Sequence, residues 1–205
     1  MVVKRGKCME DMVKCCLDLI QDAMGKVGKE YIKVKVATDE DEESKTIKRE
    51  RVYAYELYHQ MRCLQESSEK WADYAFNAEI DKSGHPIIRH RFNPDMVIHQ
   101  QGTMSKNLCA IEIKTDPTAL RGIEKDFYTL SCMVHCYQYQ CGVFIIVNQT
   151  LEDFWSARQA MISEVCELKH CSDKIYIIAE RAKDKIPCCK TVMELQSSES
   201  PCTYE

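Results

Sequence analysis

Long hydrophobic runs are absent from this sequence. No apolar stretch approaches the roughly 20 residues that a membrane-spanning helix requires, and the first 20 residues contain seven charged side chains. A secretory signal peptide needs an uninterrupted apolar segment near its start. We therefore expect neither a membrane span nor an export signal.

A positive net charge is also absent, since 28 Lys and Arg residues stand against 32 Asp and Glu residues. The formal net charge of -4 excludes a protein that coats nucleic acid by bulk charge, so any polyanion must meet a local basic patch. Compositional bias is missing as well: 45% hydrophobic and 29% charged residues are ordinary for a globular domain and exclude disorder and fibres. A chain of 205 residues predicts one domain around one core.

Cysteine, by contrast, is abundant. The 13 cysteines are odd in number, no export signal accompanies them, and the chain is long enough to bury a core without crosslinks. Most lie in apolar periodic segments, including Cys16, Cys63, Cys109 and Cys132, where a reduced thiol packs as a small hydrophobe. These features favour a cytoplasmic protein whose cysteines are reduced and mainly fill the core.

Hydrophobic periodicity predicts the order of the elements. An amphipathic helix ends near Gly25, a short strand follows at residues 32–36, and an acidic loop lies at residues 39–43. The predicted elements after this loop are a helix at 46–64, strands at 74–80, 92–99 and 108–114, a helix at 118–137, a strand at 141–147, a helix at 151–168 and a strand at 174–179. The polar segment after Pro187 is expected to be flexible.

This order predicts an α/β fold with a mixed central sheet flanked by helices, because the last four elements form βαβ crossovers. We expect one domain over residues 1–190, with its core at about 46–180. Residues 1–45 are then an N-terminal helical extension, and residues 191–205 are a flexible tail.

One carboxylate on the second predicted helix is unexpected. The helical spacing puts Glu56 on the same face as Val52, Tyr55, His59 and Cys63. Burying an unpaired carboxylate there would cost several kcal/mol or force it to bind a proton, a cation or a metal. An ion pair between a helix-edge glutamate and an arginine is the alternative explanation.

The residues that carry chemistry lie at the ends of two apolar strands. Asp95 directly precedes one strand, and Glu112 and Lys114 close the next. Glu112 and Lys114 share a face because side chains alternate along a strand. Two neighbouring carboxylates need a cation between them, and an all-oxygen site suits Mg²⁺ or Mn²⁺. A divalent metal beside a lysine supplies the parts for phosphodiester hydrolysis.

The pattern Pro94-Asp95, a spacer, then Glu112-Ile113-Lys114 resembles the PD-(D/E)xK nuclease superfamily. Its members share the restriction-endonuclease-like fold, and the predicted element order over residues 49–179 is similar to that core. The resemblance implies a nuclease that depends on Mg²⁺ or Mn²⁺ and acts on DNA. It also implies that Asp95, Glu112 and the backbone carbonyl of Ile113 bind the metal, while Lys114 positions the attacking water.

The same resemblance implies a further acid on the helix before the strands, which is Glu56, or on the first strand, which is Glu79. The helix after Lys114 lacks the Gln-x-x-x-Tyr signature of RecB-like exonucleases, so that branch is not assigned. A homodimer is one implied arrangement, because cutting both strands commonly needs two active sites. The N-terminal helix with its methionines is then the expected contact surface.

Basic residues flank the predicted site on both sides in the sequence. The candidate phosphate contacts are Lys48, Arg49 and Arg51 at the start of the second helix, and Arg89 and Arg91 before Pro94. No helix-turn-helix or zinc-finger module accompanies them, so the sequence predicts no target specificity.

Two other interpretations remain open from the sequence. The first is a catalytically inactive module with the same fold that binds nucleic acid or protein. The complete set of two acids and a lysine argues against this interpretation. Zinc is the second alternative, although ordinary helix packing also explains the residues concerned. The two candidate zinc sets are Cys132, His135 and Cys136, and Cys166, His170 and Cys171.

Overall fold

The fold was examined in a computed structural model, which describes residues 9–36, 45–47, 49–78, 93–116, 120–180 and 186–198. The helices are α1 (Met9–Met24), α2 (Lys29–Ile32), α3 (Glu50–Glu66), α4 (Leu120–Tyr137), α5 (Leu151–Glu167) and α6 (Val192–Ser197), with a 3₁₀ helix at Glu69–Trp71. The strands are β1 (Val34–Val36), β2 (Lys45–Ile47), β3 (Ala75–Ala78), β4 (Met96–His99), β5 (Asn107–Lys114), β6 (Cys141–Thr150), β7 (Ile175–Glu180) and β8 (Pro187–Thr191).

Six strands form one mixed sheet in the order β3-β4-β5-β6-β7-β8. Strands β3, β4 and β5 pair antiparallel as a meander. Strands β5, β6 and β7 run parallel because α4 and α5 return the chain to the same edge. Strand β8 closes the sheet antiparallel to β7. The expected mixed α/β sheet flanked by helices is confirmed.

The two faces of the sheet carry separate hydrophobic layers. Phe144 and Ala110 belong to the layer that contains α4 and α5, whereas Ile145 and Ile111 belong to the layer that contains α1 and α3. This follows from the alternation of side chains along each strand. The middle strands are buried on both faces, which explains their near-continuous apolar sequences.

Helix α1 is part of the core. Its buried residues Met12, Cys16 and Ile20 belong to the layer on the α3 side of the sheet, and α1 contacts α3, β5 and β8. Residues 9–24 of the expected N-terminal extension thus pack onto the sheet through this apolar face. The apolar face of α1 is used within the chain, which removes the reason to place a homodimer contact there.

Within the residues that the structure describes, 187–197 form strand β8 and helix α6, whereas a flexible tail was expected from residue 191. Strand β8 pairs with β7, and α6 begins with a capping box in which Thr191 and Glu194 satisfy each other's backbone N–H groups. Val192 and Leu195 are buried against α5 and the sheet. Two buried apolar residues suffice here, because tertiary packing rather than mean hydropathy stabilises a short helix.

A glycine allows α4 to approach the sheet closely. A Cβ added to Gly142 on β6 would lie 2.7 Å from Ile175 Cδ1 and 3.1 Å from Leu130 Cβ of α4. Both separations are tighter than ordinary van der Waals contact. The close approach brings the inward face of α4 against the ends of the central strands.

The cysteines of the described residues form no disulfide. Cys16, Cys109 and Cys132 are buried as expected, whereas Cys63 is exposed. None of the helices in the described part of the chain is both long and apolar enough to cross a membrane.

Candidate active site

Asp95 and Glu112 face each other across two neighbouring strands. Met96 of β4 pairs with Ile111 of β5 in antiparallel register, so Asp95 and Glu112 form the next opposed pair. The Asp95 carboxylate also accepts a hydrogen bond from the backbone N–H of Ile113, with 2.7 Å between Ile113 N and Asp95 Oδ2. This bond fixes the carboxylate at the point where β4 begins.

Lys114 lies at the end of β5, between two helices. Its Nζ is 2.9 Å from Asp126 Oδ2 on α4 and 3.3 Å from Glu50 Oε1 on α3. The Lys114 side chain is only 16% exposed. Both partner carboxylates raise the pKa of Lys114 against the opposing effect of burial. The side chain is therefore a stable ammonium, a donor of hydrogen bonds at neutral pH.

The site brings several carboxyl groups together around Lys114. Burial, with added repulsion from Glu50 and Asp126, raises the pKa of Asp95 to about 6, against the opposing effects of the Ile113 N–H bond and Lys114. Burial raises the pKa of Glu112 well above its ordinary value, and the neighbouring Asp95 and Asp126 raise it further. Glu112 is 5% exposed. Removing these carboxylates from water without full compensation disfavours their charged forms, which is the condition that a cation relieves.

The sequence analysis did not identify Asp126 and Glu50 as site residues. Each lies on the buried stripe of its helix, and this spacing can be read from the sequence. Asp126 lies three residues after Ile123 and four before Leu130, so it shares the buried face of α4 with both. Burial, with repulsion from Glu50, raises the pKa of Asp126 despite the ion pair with Lys114. A carboxylate on a buried helical stripe is therefore the sequence pattern that indicates Asp126 as a site residue.

Glu50 likewise lies on the buried stripe of its helix, α3. The buried residues of this helix are Tyr53, Leu57 and Met61, which continue the spacing that starts at Glu50. The expected stripe through Val52, Tyr55, His59 and Cys63 is wrong: Val52 is half-buried and the other three are exposed.

The change of face also alters the position of Glu56. This residue is half-buried, and its Oε1 accepts a hydrogen bond of 2.7 Å from Gln60 Nε2. Glu56 lies six residues beyond Glu50, about 9 Å along the helix axis and roughly 120° around it. The structure thus brings Glu50, and not Glu56, to Lys114. Glu56 therefore does not lie on the buried face of α3, where the sequence analysis expected it.

A small cleft opens beside Asp95, between the first turns of α3 and the edge strands. Its volume is about 100 Å³, which is room for several water molecules. The residues that line it are Glu50, Arg51, Ala54, Tyr55, Ala78, Asp95 and Met96. Two site carboxylates therefore border a space that water can enter.

The donor set of this cleft suits a hard cation. The carboxyl groups of Glu50 and Asp95 line it beside Arg51, and carboxylate oxygens are the ligands that Mg²⁺ and Mn²⁺ prefer. Within the described ranges, no three His, Cys, Asp or Glu side chains form a group that could hold a metal by themselves. Mg²⁺ does not require one, because it is commonly held by one or two carboxylates together with water and substrate phosphates. The residues present therefore fit such an ion.

The alternative of zinc has no such support. Neither cysteine-histidine set forms a metal-binding group in the described chain. In the first set Cys132 is buried, whereas His135 and Cys136 are exposed. In the second set Cys166 and Cys171 are buried and His170 is exposed.

Only two of the predicted phosphate contacts lie among the residues that the structure describes. Arg49 directly precedes α3 and is exposed, as is Arg51, which borders the cleft. Lys48, Arg89, Arg91 and the alternative acid Glu79 lie outside the described residues. The basic rim expected from the sequence is thus represented here by two arginines at the start of α3.

Comparison with known proteins gives no relative for this chain: no family model, no curated protein and no solved structure matches it.

Proposed function

We propose that this protein is a nuclease dependent on Mg²⁺ or Mn²⁺, with a restriction-endonuclease-like core, that hydrolyses phosphodiester bonds in DNA. The observation that carries the proposal is the opposed pair Asp95 and Glu112, with Lys114 at the end of the same strand as Glu112. The order of helix α3, meander β3-β4-β5, helix α4 and strand β6 supports it, since it agrees with the core of the PD-(D/E)xK superfamily.

Asp95, Glu112 and the backbone carbonyl of Ile113 would hold the metal in this proposal. A divalent cation there would neutralise phosphate charge and make the attacking water more acidic. The Ile113 N–H bond to Asp95 keeps one carboxylate oxygen oriented, and orientation by such secondary contacts sharpens metal binding. Glu50 borders the same cleft and takes the place that the sequence assigned to Glu56.

Lys114 acts as a donor in this mechanism. Its raised pKa keeps the proton on Nζ, so the side chain orients water by donating a hydrogen bond and stabilises developing negative charge on the phosphate. Asp126 and Glu50 hold the ammonium in place from both sides. We therefore assign Asp126 as a positioning residue.

DNA is the proposed substrate because the site combines a hard-cation centre with exposed arginines. Arg49 and Arg51 provide local positive charge in a chain whose net charge is -4. Phosphate contacts of this type set affinity and register without reading sequence.

The test joins calorimetry and cleavage. Mn²⁺ is titrated into the full chain and into Asp95→Asn, and the same samples are incubated with supercoiled plasmid and with single-stranded DNA. We expect wild type to bind Mn²⁺ and to cleave only with metal, and Asp95→Asn to do neither. Absence of metal binding by wild type, or metal-independent cleavage, would overturn the proposal.

An inactive binding module on the same fold is the second candidate. One observation favours it: Lys114 is already held by Asp126 and Glu50, so part of the negative charge is balanced inside the chain. This candidate predicts tight binding of nucleic acid or protein by a chain that binds no divalent metal.

A further inference from the structure

Tyr55 is an exposed aromatic residue at the mouth of the candidate active site. Its side chain borders the cleft that Asp95 and Glu50 line, and it is 51% exposed. Because this half-exposed ring lies beside carboxylates at the cleft, its exposed part offers contact area for a ligand.

Arg51 lies one helical turn before Tyr55 on α3 and lines the same cleft. Side chains four residues apart are neighbours on a helix surface. A guanidinium next to an aromatic face matches two adjacent parts of a nucleotide, because arginine pairs with phosphate and tyrosine stacks on a base.

We propose that Tyr55 stacks on an unpaired nucleobase next to the phosphate bound at Asp95, so that the substrate of this site is single-stranded DNA. The inference rests on the proposed nuclease function. A base inside a duplex has both faces covered by its neighbours, so a tyrosine can stack only on a base that is single-stranded or extruded. Stacking tolerates any sequence, since every base has an aromatic face.

Binding is measured by fluorescence anisotropy with the full chain and Ca²⁺ in place of Mg²⁺. The probes are a labelled oligothymidine of roughly 15 nucleotides, the length of a long single-strand site, and a blunt duplex of the same length. Tyr55→Ala should weaken binding of the single strand roughly 5- to 150-fold, as the loss of one stacked base does. Tyr55→Phe keeps the ring face and should bind within about 2-fold of wild type.

Tyr128 supplies the matched control. It is 46% exposed but lies on α4 with Lys169 over its ring, outside the cleft at Asp95. Tyr128→Ala should bind the single strand as wild type does, and none of the three variants should change binding of the duplex. Thermal melting checks that each variant is folded.

The outcomes separate this inference from the nuclease function. Equal binding by Tyr55→Ala and wild type, equal losses on single strand and duplex, or no binding of the single strand by wild type would each overturn it. Metal-dependent cleavage by wild type, measured separately on plasmid, would leave the nuclease function standing in all three cases. Selective loss in Tyr55→Ala without any cleavage by wild type would support the stacking contact and would overturn the nuclease function.

Discussion

The ammonium of Lys114 lies 2.9 Å from Asp126 Oδ2, so one ion pair joins the end of strand β5 to helix α4. Asp126 is 6% exposed and sits on the apolar face of its helix. The pair therefore orients the proposed water-positioning lysine and also compensates a buried charge. These two roles can be measured separately.

Replacing Lys114 with methionine should destabilise the fold. The variant leaves the Asp126 carboxylate buried without its partner, and breaking a buried pair in this way costs about 3 kcal/mol. Adding Asp126→Asn should restore at least half of the loss, because the buried charge is then gone. Urea unfolding at neutral pH measures both effects, and cleavage assays on the same samples should give no activity for either variant. Cleavage by the restabilised double variant would remove Lys114 from the mechanism.

The contribution of Asp95 to the stability of the metal-free protein should fall as the pH rises from about 4 to above about 6. The pKa of Asp95 is raised from 3.8 to about 6 in the fold, so between these values the folded state holds more protons than the unfolded state. The stabilisation is present at low pH and is lost as the pH passes through about 6.

Asp95→Asn tests this dependence, because the amide oxygen can still accept the Ile113 N–H and carries no charge. In EDTA and above pH ~6, its Tm should exceed that of wild type by at least about 2 °C, the shift that ~1 kcal/mol produces in a domain of this size. The difference should shrink toward pH ~4, where wild type is protonated. A Tm difference that stays constant across this range would exclude Asp95 as the titrating group.

Two glutamates on one helix provide a comparison within α3. Glu50→Gln should lower the rate of plasmid cleavage about 10- to 100-fold, the usual effect of removing a group that supports a metal site. Glu56→Gln should stay within about 2-fold of wild type, because Glu56 bonds Gln60 on another face of the helix. The reverse ranking would return Glu56 to the site that the sequence assigned to it.

The cap of α6 should contribute measurably to stability. Thr191→Ala removes the side-chain oxygen that accepts the backbone N–H of Glu194 at 3.1 Å and should cost about 1 kcal/mol in urea unfolding. Met193 on the same helix is 50% exposed, so Met193→Ala should change stability by less than about 0.5 kcal/mol. Equal stability of Thr191→Ala and wild type would show that this cap adds nothing to the stability of the fold.

Sequence patterns were most informative on the central strands. The bounds of β5 and α4 were predicted within about two residues where the structure describes them, because β5 is a continuous apolar run and α4 carries a complete apolar stripe. For α3 the helix was predicted but its buried face was wrong, because tyrosines occur on both faces and the sequence does not distinguish Tyr53 from Tyr55 as the buried one. The prediction was also wrong for α6, whose two buried residues give too short a pattern to recognise.

The sequence by itself determined that Asp95, Glu112 and Lys114 lie at the ends of neighbouring strands. Period-two alternation places Glu112 and Lys114 on one face whatever surrounds them, and a hydrogen-bonded meander then brings Asp95 opposite Glu112. Only the tertiary structure decided that Asp126 and Glu50 hold Lys114. A helix can bury any of several faces, and the choice depends on which sheet surface and which neighbouring helix it packs against.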